Sequence, residues 1–179
     1  KLKLSYKELY HKVSCIAQAM RSSGVIAGDR VVGYMPNMPQ TIIAMLAAAS
    51  IGAIWSSCSP DFGVQGVLDR FGQIKPKMLF VCDGYFYNGR AYDVIEKTSE
   101  ILNSLPTVEA VIVVPYCTKQ PNISAISNGV LWDHFVSNFK PSEIEFARLP
   151  FNHPLYIMYS SGTTGIPKCI VHGAGGTLL

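Results

Sequence analysis

The sequence runs to 179 residues, 49% hydrophobic and 15% charged, with a formal net charge of +3. That balance supplies enough apolar material for one buried core and excludes a disordered or low-complexity chain. The charge is small and no run of Lys and Arg concentrates it, which argues against nucleic acid as a partner, and the longest apolar stretch, residues 41–55, is too short to span a bilayer.

In chain order, Ser5-Tyr6-Lys7-Glu8 has the spacing of a capping box. Tyr6, Leu9, Val13, Ile16, Ala17 and Met20 then recur with helical period, and Gly24 closes the helix. Gly28-Asp29 turns the chain into a strand over 31–34. Asn37 and Pro39 open a second helix, Pro being tolerated in a first turn, and Gly52 ends it. A strand over 53–57, a helix over 64–74 stopped by Pro76, and a strand over 78–82 follow. Residues 85–90 form a Gly-containing loop ahead of a helix over 94–105 and a strand over 110–114. The region 115–150 is looser, with a short helix over 132–138, one more strand covers 155–159, and His172 lies in a next short strand. Short apolar strands alternating with amphipathic helices predict an α/β fold, a mostly parallel wound sheet with flanking helices in one domain. Ligands of such sheets gather at the carboxyl ends of the strands.

Cysteines at 15, 58, 82, 117 and 169 are odd in number and include no CxxC pair, so neither a disulfide framework nor a zinc site is expected, and a reducing compartment, the cytoplasm, is. The chain opens at Lys1 just ahead of a helix and stops in an apolar run at Leu179, so it is expected to be part of a longer protein.

The strongest chemical signal is Tyr159-Ser160-Ser161-Gly162-Thr163-Thr164-Gly165-Ile166-Pro167-Lys168. It follows a predicted strand directly. Glycines let the backbone approach phosphate oxygens and expose N–H groups, hydroxyls donate hydrogen bonds without bulk, and a Lys brings a mobile positive charge to oxygens that gain charge during displacement. Ser/Thr/Gly stretches are often plain loops. The preceding strand and the Pro-Lys ending favour phosphate binding here. It is not a Walker A loop, which requires Gly-Lys-Ser/Thr running into a helix.

This segment resembles the signature loop of the adenylate-forming superfamily of acyl-CoA synthetases, luciferases and peptide-synthetase adenylation domains. It departs from the family pattern at Cys169, where most members have Gly. Residues 45–57, 59–64, 66–71 and 167–172 are similar to the acetoacetate-activating branch of that superfamily, Cys169 included. The resemblance covers essentially the whole chain. It implies part of the large N-terminal, AMP-binding domain, with the C-terminal domain absent, and a parent ligase that activates acetoacetate with ATP and Mg²⁺ and transfers it to coenzyme A. On this resemblance the ATP phosphates meet Ser161, Gly162, Thr163, Thr164, Gly165 and Lys168. Lys168, Thr163 and Thr164 serve the chemistry, and no residue holds a metal. The chain alone is expected to be inactive. Two alternatives stand beside it: another short-chain acyl-CoA synthetase, such as one acting on acetate, and a non-catalytic nucleotide-binding relic.

The stretch Tyr85-Phe86-Tyr87-Asn88-Gly89-Arg90 corresponds to the place where acetyl-CoA synthetases carry two arginines near the CoA 3′-phosphate. Arg90 matches one of them and Tyr87 stands at the other, so the resemblance offers Arg90 to CoA, against the commoner fate of a surface Arg. His172 follows the loop, either bordering an acyl pocket as in related synthetases or packed at a strand end. His11, His134 and His153 fall in no motif. Trp55 and Trp132 are expected in the core or at an interface, Asp61 in a turn and Asp69 on a helix surface, none of the carboxylates being paired for acid–base work.

Overall fold

The computed structural model describes residues 3–161 and 165–179. Ser5 and Glu8 make the capping box that their spacing predicts: the Glu8 N–H donates to Ser5 Oγ at 3.2 Å, and the Ser5 N–H donates to Glu8 Oε2 at 2.7 Å. Helix α1 (Tyr6–Ser22) ends as Gly24, at φ +79°, donates to the Arg21 carbonyl and Val25 donates to that of Met20, a Schellman arrangement. Val13, Ile16, Ala17 and Met20 are buried as their period requires. Tyr6 is not: it lies at the rim of the helix beside Pro39 and Ile42 and is 92% exposed.

The alternation continues as β1 (Arg30–Tyr34), α2 (Pro39–Ser50), β2 (Ile54–Cys58), α3 (Val64–Ile74) and β3 (Met78–Cys82). After β3 come a two-stranded ribbon, β4 (Gly84–Tyr87) and β5 (Arg90–Asp93), then α4 (Ile95–Asn103), β6 (Ala110–Val114), β7 (Gly129–Leu131) and α5 (Trp132–Val136). The described chain closes with β8 (Pro154–Ser160), β9 (Lys168–Gly173) and α6 (Ala174–Leu178). Among the described residues the main sheet has seven strands in the order β7-β6-β3-β1-β2-β8-β9, parallel throughout except that β9 runs antiparallel to β8.

A parallel sheet must be covered on both faces. Along β1, Val31 faces a core shared with α1 and α2, while Val32 faces one shared with α3 and α4. Phe80 on β3 centres the first core, its ring 6.4 Å from Trp55, 5.9 Å from Trp132 and 6.2 Å from Phe135. Trp55 is therefore a core residue, and Trp132 is half-buried against that core. The region 137–153 carries the chain from the β7 side of the sheet to β8 as a strap over α1 and α2. Its polar backbone is tied by side chains: Tyr10 accepts from the Ile144 N–H at 2.8 Å, Gln18 donates to the Lys140 carbonyl at 2.9 Å, and Arg21 donates to that of Glu145 at 2.6 Å.

Two features depart from the sequence reading: residues 85–90 are a hairpin and not a loop, and β7 adds a strand at one edge. The sheet is mostly parallel, as expected, with β9 its antiparallel strand. The hairpin turn is Asn88-Gly89, at φ +47° and +74°, a pair that accepts positive φ at both central positions.

Gly33 sits in the middle of the sheet, under the indole of Trp55. A Cβ at this position would lie 2.8 Å from two Trp55 ring atoms. Gly33→Ala should destabilise the fold by about 1–3 kcal/mol through overpacking, seen as a lower urea midpoint at unchanged m-value. A midpoint equal to wild type would mean that the ring moves aside at no cost.

Candidate functional site

Every parallel strand ends at the same edge of the sheet, and the polar motif is there. β8 delivers Tyr159 and Ser160 to that edge, and β9 starts back from it at Lys168, which pairs directly with Ser160. The phosphate-type sequence is thus the connection of a β-hairpin, with Ser160 and Lys168 as its two stems. Ser161 is exposed. Gly165 is also exposed, takes φ +103°, and has nothing within 4 Å of where a side chain would begin. Lys168 is exposed, as a mobile cation for a ligand must be. Gly162, Thr163 and Thr164 lie outside the described residues.

The stems are held from the sheet and from α3. Ser56 Oγ donates to the Ile157 carbonyl at 2.8 Å and lies within hydrogen-bond distance of the Tyr159 hydroxyl at 3.0 Å. Burial pushes the Tyr159 phenol well above its ordinary range, so it stays neutral. The Arg70 guanidinium lies 4.3 Å from the Phe62 ring centroid and 5.8 Å from that of Tyr159. Gln73, one turn on along α3, donates to the Pro167 carbonyl at 2.8 Å and accepts from the Cys169 thiol at 3.5 Å. The residue that departs from the family pattern is therefore a tie to α3, on the far side of the loop stem.

Arg90 opens β5, exposed, paired with Tyr87 across the Asn88-Gly89 turn. Its hairpin rises from the end of β3, on the same edge as the phosphate-type loop. β3 and β8 are separated by β1 and β2, three interstrand steps or about 14 Å. The structure therefore places Ser161, Gly165 and Lys168 together and puts Arg90 on a separate support along one rim. His172 is at neither: its ring stacks on Tyr156 at 5.0 Å, a packed histidine at a strand end. His153 holds the Gly52 carbonyl at 2.8 Å, and Asp69 accepts from Gln65 on the surface of α3. Asp61 is exposed in the turn after β2. A groove of about 540 Å³ opens between α1, α2 and α5, lined by Leu4, His11, Cys15, Pro39, Ile43 and Trp132, and none of the predicted site residues borders it. Cys58 and Cys82 are buried thiols pushed up to about 12 by desolvation, and all five cysteines are free. Among the described residues no cluster of three His, Cys, Asp or Glu could cage a metal ion, and no helix is long and apolar enough to cross a membrane.

Two rim residues carried no signal strong enough to be found in the sequence. The Tyr34 hydroxyl, buried at the end of β1, lies 2.9 and 2.7 Å from the carbonyl oxygens of Pro60 and Phe62 and pins the turn after β2. Asp83, only 3% exposed at the end of β3, fills all its acceptor positions: Oδ1 accepts from the N–H groups of Tyr116 and Cys117 at 2.7 and 2.8 Å, and Oδ2 from the Thr118 N–H and hydroxyl at 2.7 and 2.8 Å.

The described residues thus form a wound α/β sheet with an exposed lysine at the stem of a Ser/Thr/Gly-containing connection on its carboxyl edge, the edge where ligands of such sheets gather. The chain belongs to the AMP-binding enzyme family, whose profile matches residues 1–178. It is 56% identical over 180 residues to the acetoacetyl-coenzyme A synthetase of Rhizobium meliloti (strain 1021), spanning 99% of this chain and 27% of that protein. Against the acetoacetyl-CoA synthetase of Gallus gallus it is 52% identical, again over 99% of this chain and 27% of the relative. Among solved structures, acetoacetyl-CoA synthetase from Streptomyces lividans superposes with a TM-score of 0.90 at 42% identity, covering 99% of this chain and 26% of that one. The chain thus spans about a quarter of the length of the relatives it matches.

Burial alone would push the Asp83 carboxyl up, but the N–H groups of Cys117, Tyr116 and Thr118 and the Thr118 hydroxyl together outweigh it and hold it below its ordinary value. A depressed carboxyl stabilises the fold above its unfolded pKa of about 4 and loses that contribution as pH falls through the lower folded value. Asp83→Asn should therefore cost about 1–3 kcal/mol at neutral pH. The gap from wild type in urea midpoint should narrow between about pH 5 and pH 2. A gap independent of pH would show that the charge of Asp83 contributes nothing.

Proposed function

We propose that this chain is a piece of the large N-terminal domain of an acid–thiol ligase that joins acetoacetate to coenzyme A at the expense of ATP, giving acetoacetyl-CoA, AMP and pyrophosphate. The observation that carries the proposal is the β8–β9 connection, with Gly165 and Lys168 exposed at the carboxyl edge of the sheet. The identities of 52–56% to acetoacetyl-CoA synthetases support acetoacetate as the acid.

In the first step a carboxylate oxygen of acetoacetate attacks the α-phosphorus of ATP and pyrophosphate leaves. In the second the CoA sulfur attacks the acyl carbon and AMP leaves. Neither step uses a covalent intermediate on this chain. Ser161, Gly162, Thr163, Thr164 and Gly165 wrap the phosphates with hydroxyl and backbone N–H donors, and Lys168 offsets charge that builds on the leaving pyrophosphate. Mg²⁺ would arrive on the triphosphate, where it offsets phosphate charge. Arg90 meets the CoA 3′-phosphate, because a guanidinium holds phosphate through paired hydrogen bonds. The unpaired cysteines favour the cytoplasm, and a place in the metabolism of lipids and ketone bodies follows from the proposed substrates.

In the full-length protein, Lys168→Ala should slow ATP–pyrophosphate exchange by an amount equivalent to about 2–4 kcal/mol, the typical cost of a lost transition-state donor. Exchange at the wild-type rate would remove Lys168 from the first step. Arg90→Ala should instead weaken CoA by about 1–2 kcal/mol, roughly five- to thirtyfold, with the loss confined to thioester formation. Dephospho-CoA, which lacks the 3′-phosphate, is the control. A mutant that still prefers CoA over dephospho-CoA as strongly as wild type would make Arg90 a surface charge only.

A further inference from the structure

A two-stranded ribbon is marginally stable in water by itself. Among the described residues the β4–β5 hairpin makes no strand pairing with the main sheet, yet it is ordered at its root by one residue. Asp83 is the last residue before the hairpin, and its backbone carbonyl accepts from the N–H of Val94, the first residue after it. The same residue's N–H donates to the Val114 carbonyl at the end of β6. Its buried carboxylate gathers the N–H groups of residues 116–118 and the Thr118 hydroxyl. The loop so held supports the hairpin from below. The Tyr116 ring meets Phe86 of β4 edge-on at 5.7 Å, and a Cβ at Gly84 would lie 3.0 Å from Cys117 Sγ and 2.5 Å from the Tyr92 carbonyl oxygen. On the hairpin itself, Tyr85 and Tyr92 stack at 5.3 Å, Phe86 and Ala91 form the next pair, and Tyr87 and Arg90 the last before the tip.

We infer that Asp83 is the positioning residue of this rim: it fixes the root of the β4–β5 hairpin and thereby sets where Arg90 meets the phosphate of CoA. The inference rests on the reading of Arg90 as the CoA contact. The geometry gives it consequence. Gly84 to Tyr87 spans three residue steps, a lever of about 10 Å, so a rotation of about 10° at the root displaces the tip by about 1.7 Å. A displacement of that size is enough to break a bidentate phosphate contact. A residue that only stabilised the fold would affect both half-reactions alike, whereas a root clamp for this hairpin affects only the one that uses CoA.

The test compares Asp83→Asn, Arg90→Ala and the double variant in the full-length protein at neutral pH, below its unfolding temperature. Asp83→Asn should raise KM for CoA about five- to tenfold, reduce the preference for CoA over dephospho-CoA, and leave ATP–pyrophosphate exchange within about twofold of wild type. Because both residues act through one contact, the double variant should be no worse towards CoA than Arg90→Ala alone. Tyr116→Ala, which removes an exposed support of Phe86 and leaves the buried bonds of Asp83 in place, should shift KM for CoA in the same direction, and it carries the test if Asp83→Asn fails to fold. An unchanged KM for CoA in these variants overturns the inference, as do effects that add in the double variant or fall equally on exchange and thioester formation. If Arg90→Ala itself leaves KM for CoA unchanged, the reading of the hairpin as a CoA surface fails and the role of Asp83 falls with it. A normal Asp83→Asn beside an impaired Arg90→Ala refutes the clamp alone.

Discussion

The structure depends on one constraint: parallel strands expose all their carboxyl ends at a single edge, and loops there must be held by something other than the sheet's own hydrogen bonds. The chain meets that constraint with one polar side chain near each crossing. Tyr34 at the end of β1 donates to the turn after β2, and Asp83 at the end of β3 gathers the loop after β6. Gln73 on α3 holds the carbonyl of Pro167 at the start of β9. Each tie joins a rim segment to a different strand or helix, so the edge behaves as a connected rim and not as independent loops. Such rigidity is what a ligand-positioning surface requires, because donors must stand in place before charge develops.

The antiparallel return of β9 is the other consequence. A parallel continuation after β8 would have needed a crossover helix and carried the chain away from the edge. The hairpin instead brings Lys168 back opposite Ser160, so that lysine and hydroxyls share one short connection. Cys169, the departure from the family pattern, lies against Gln73 on the α3 side of this stem. The substitution is therefore absorbed by packing against a helix, while the exposed positions keep their chemistry.

How much of this was legible in the sequence depended on range. Helix α3 and strands β3 and β6 emerged at their observed bounds, because runs such as Met78-Leu79-Phe80-Val81-Cys82 are buried on both faces and carry their own signal. The capping box of α1 is local and was legible for the same reason. The hairpin was missed although Asn88-Gly89 announces it, because the flanking Tyr-Phe-Tyr and Arg-Ala-Tyr stretches lack the apolar–polar alternation of a half-buried strand. Strand β7 has three residues, too few for any period to show. In the candidate site, Ser161, Gly165 and Lys168 were marked by composition, and their gathering on one connection follows from their closeness in sequence. Asp83 was invisible, since its partners lie some thirty-five residues away and a single Asp after a strand reads as a turn. Long-range polar ties of this kind leave no periodic trace.

The exposure of Lys168 and Arg90 bears on where the strength of the site comes from. Two unit charges about 4 Å apart attract by about 1 kcal/mol in bulk water and by about 4 kcal/mol at an effective dielectric of about 20. On this open rim each cation is in the first regime, and hydrogen-bonding to water competes with any phosphate. A transition-state contribution of several kcal/mol demands the second, which requires something to cover the rim and displace water. Within the described residues nothing does so. The seven-stranded sheet fixes positions, with Ser160 and Lys168 paired and the Arg90 hairpin anchored, but it leaves the field around them weak. The relatives are about four times longer than the matched segment. Positioning and dielectric are then separable contributions, the first residing in the rim ties of this chain and the second in whatever closes over it.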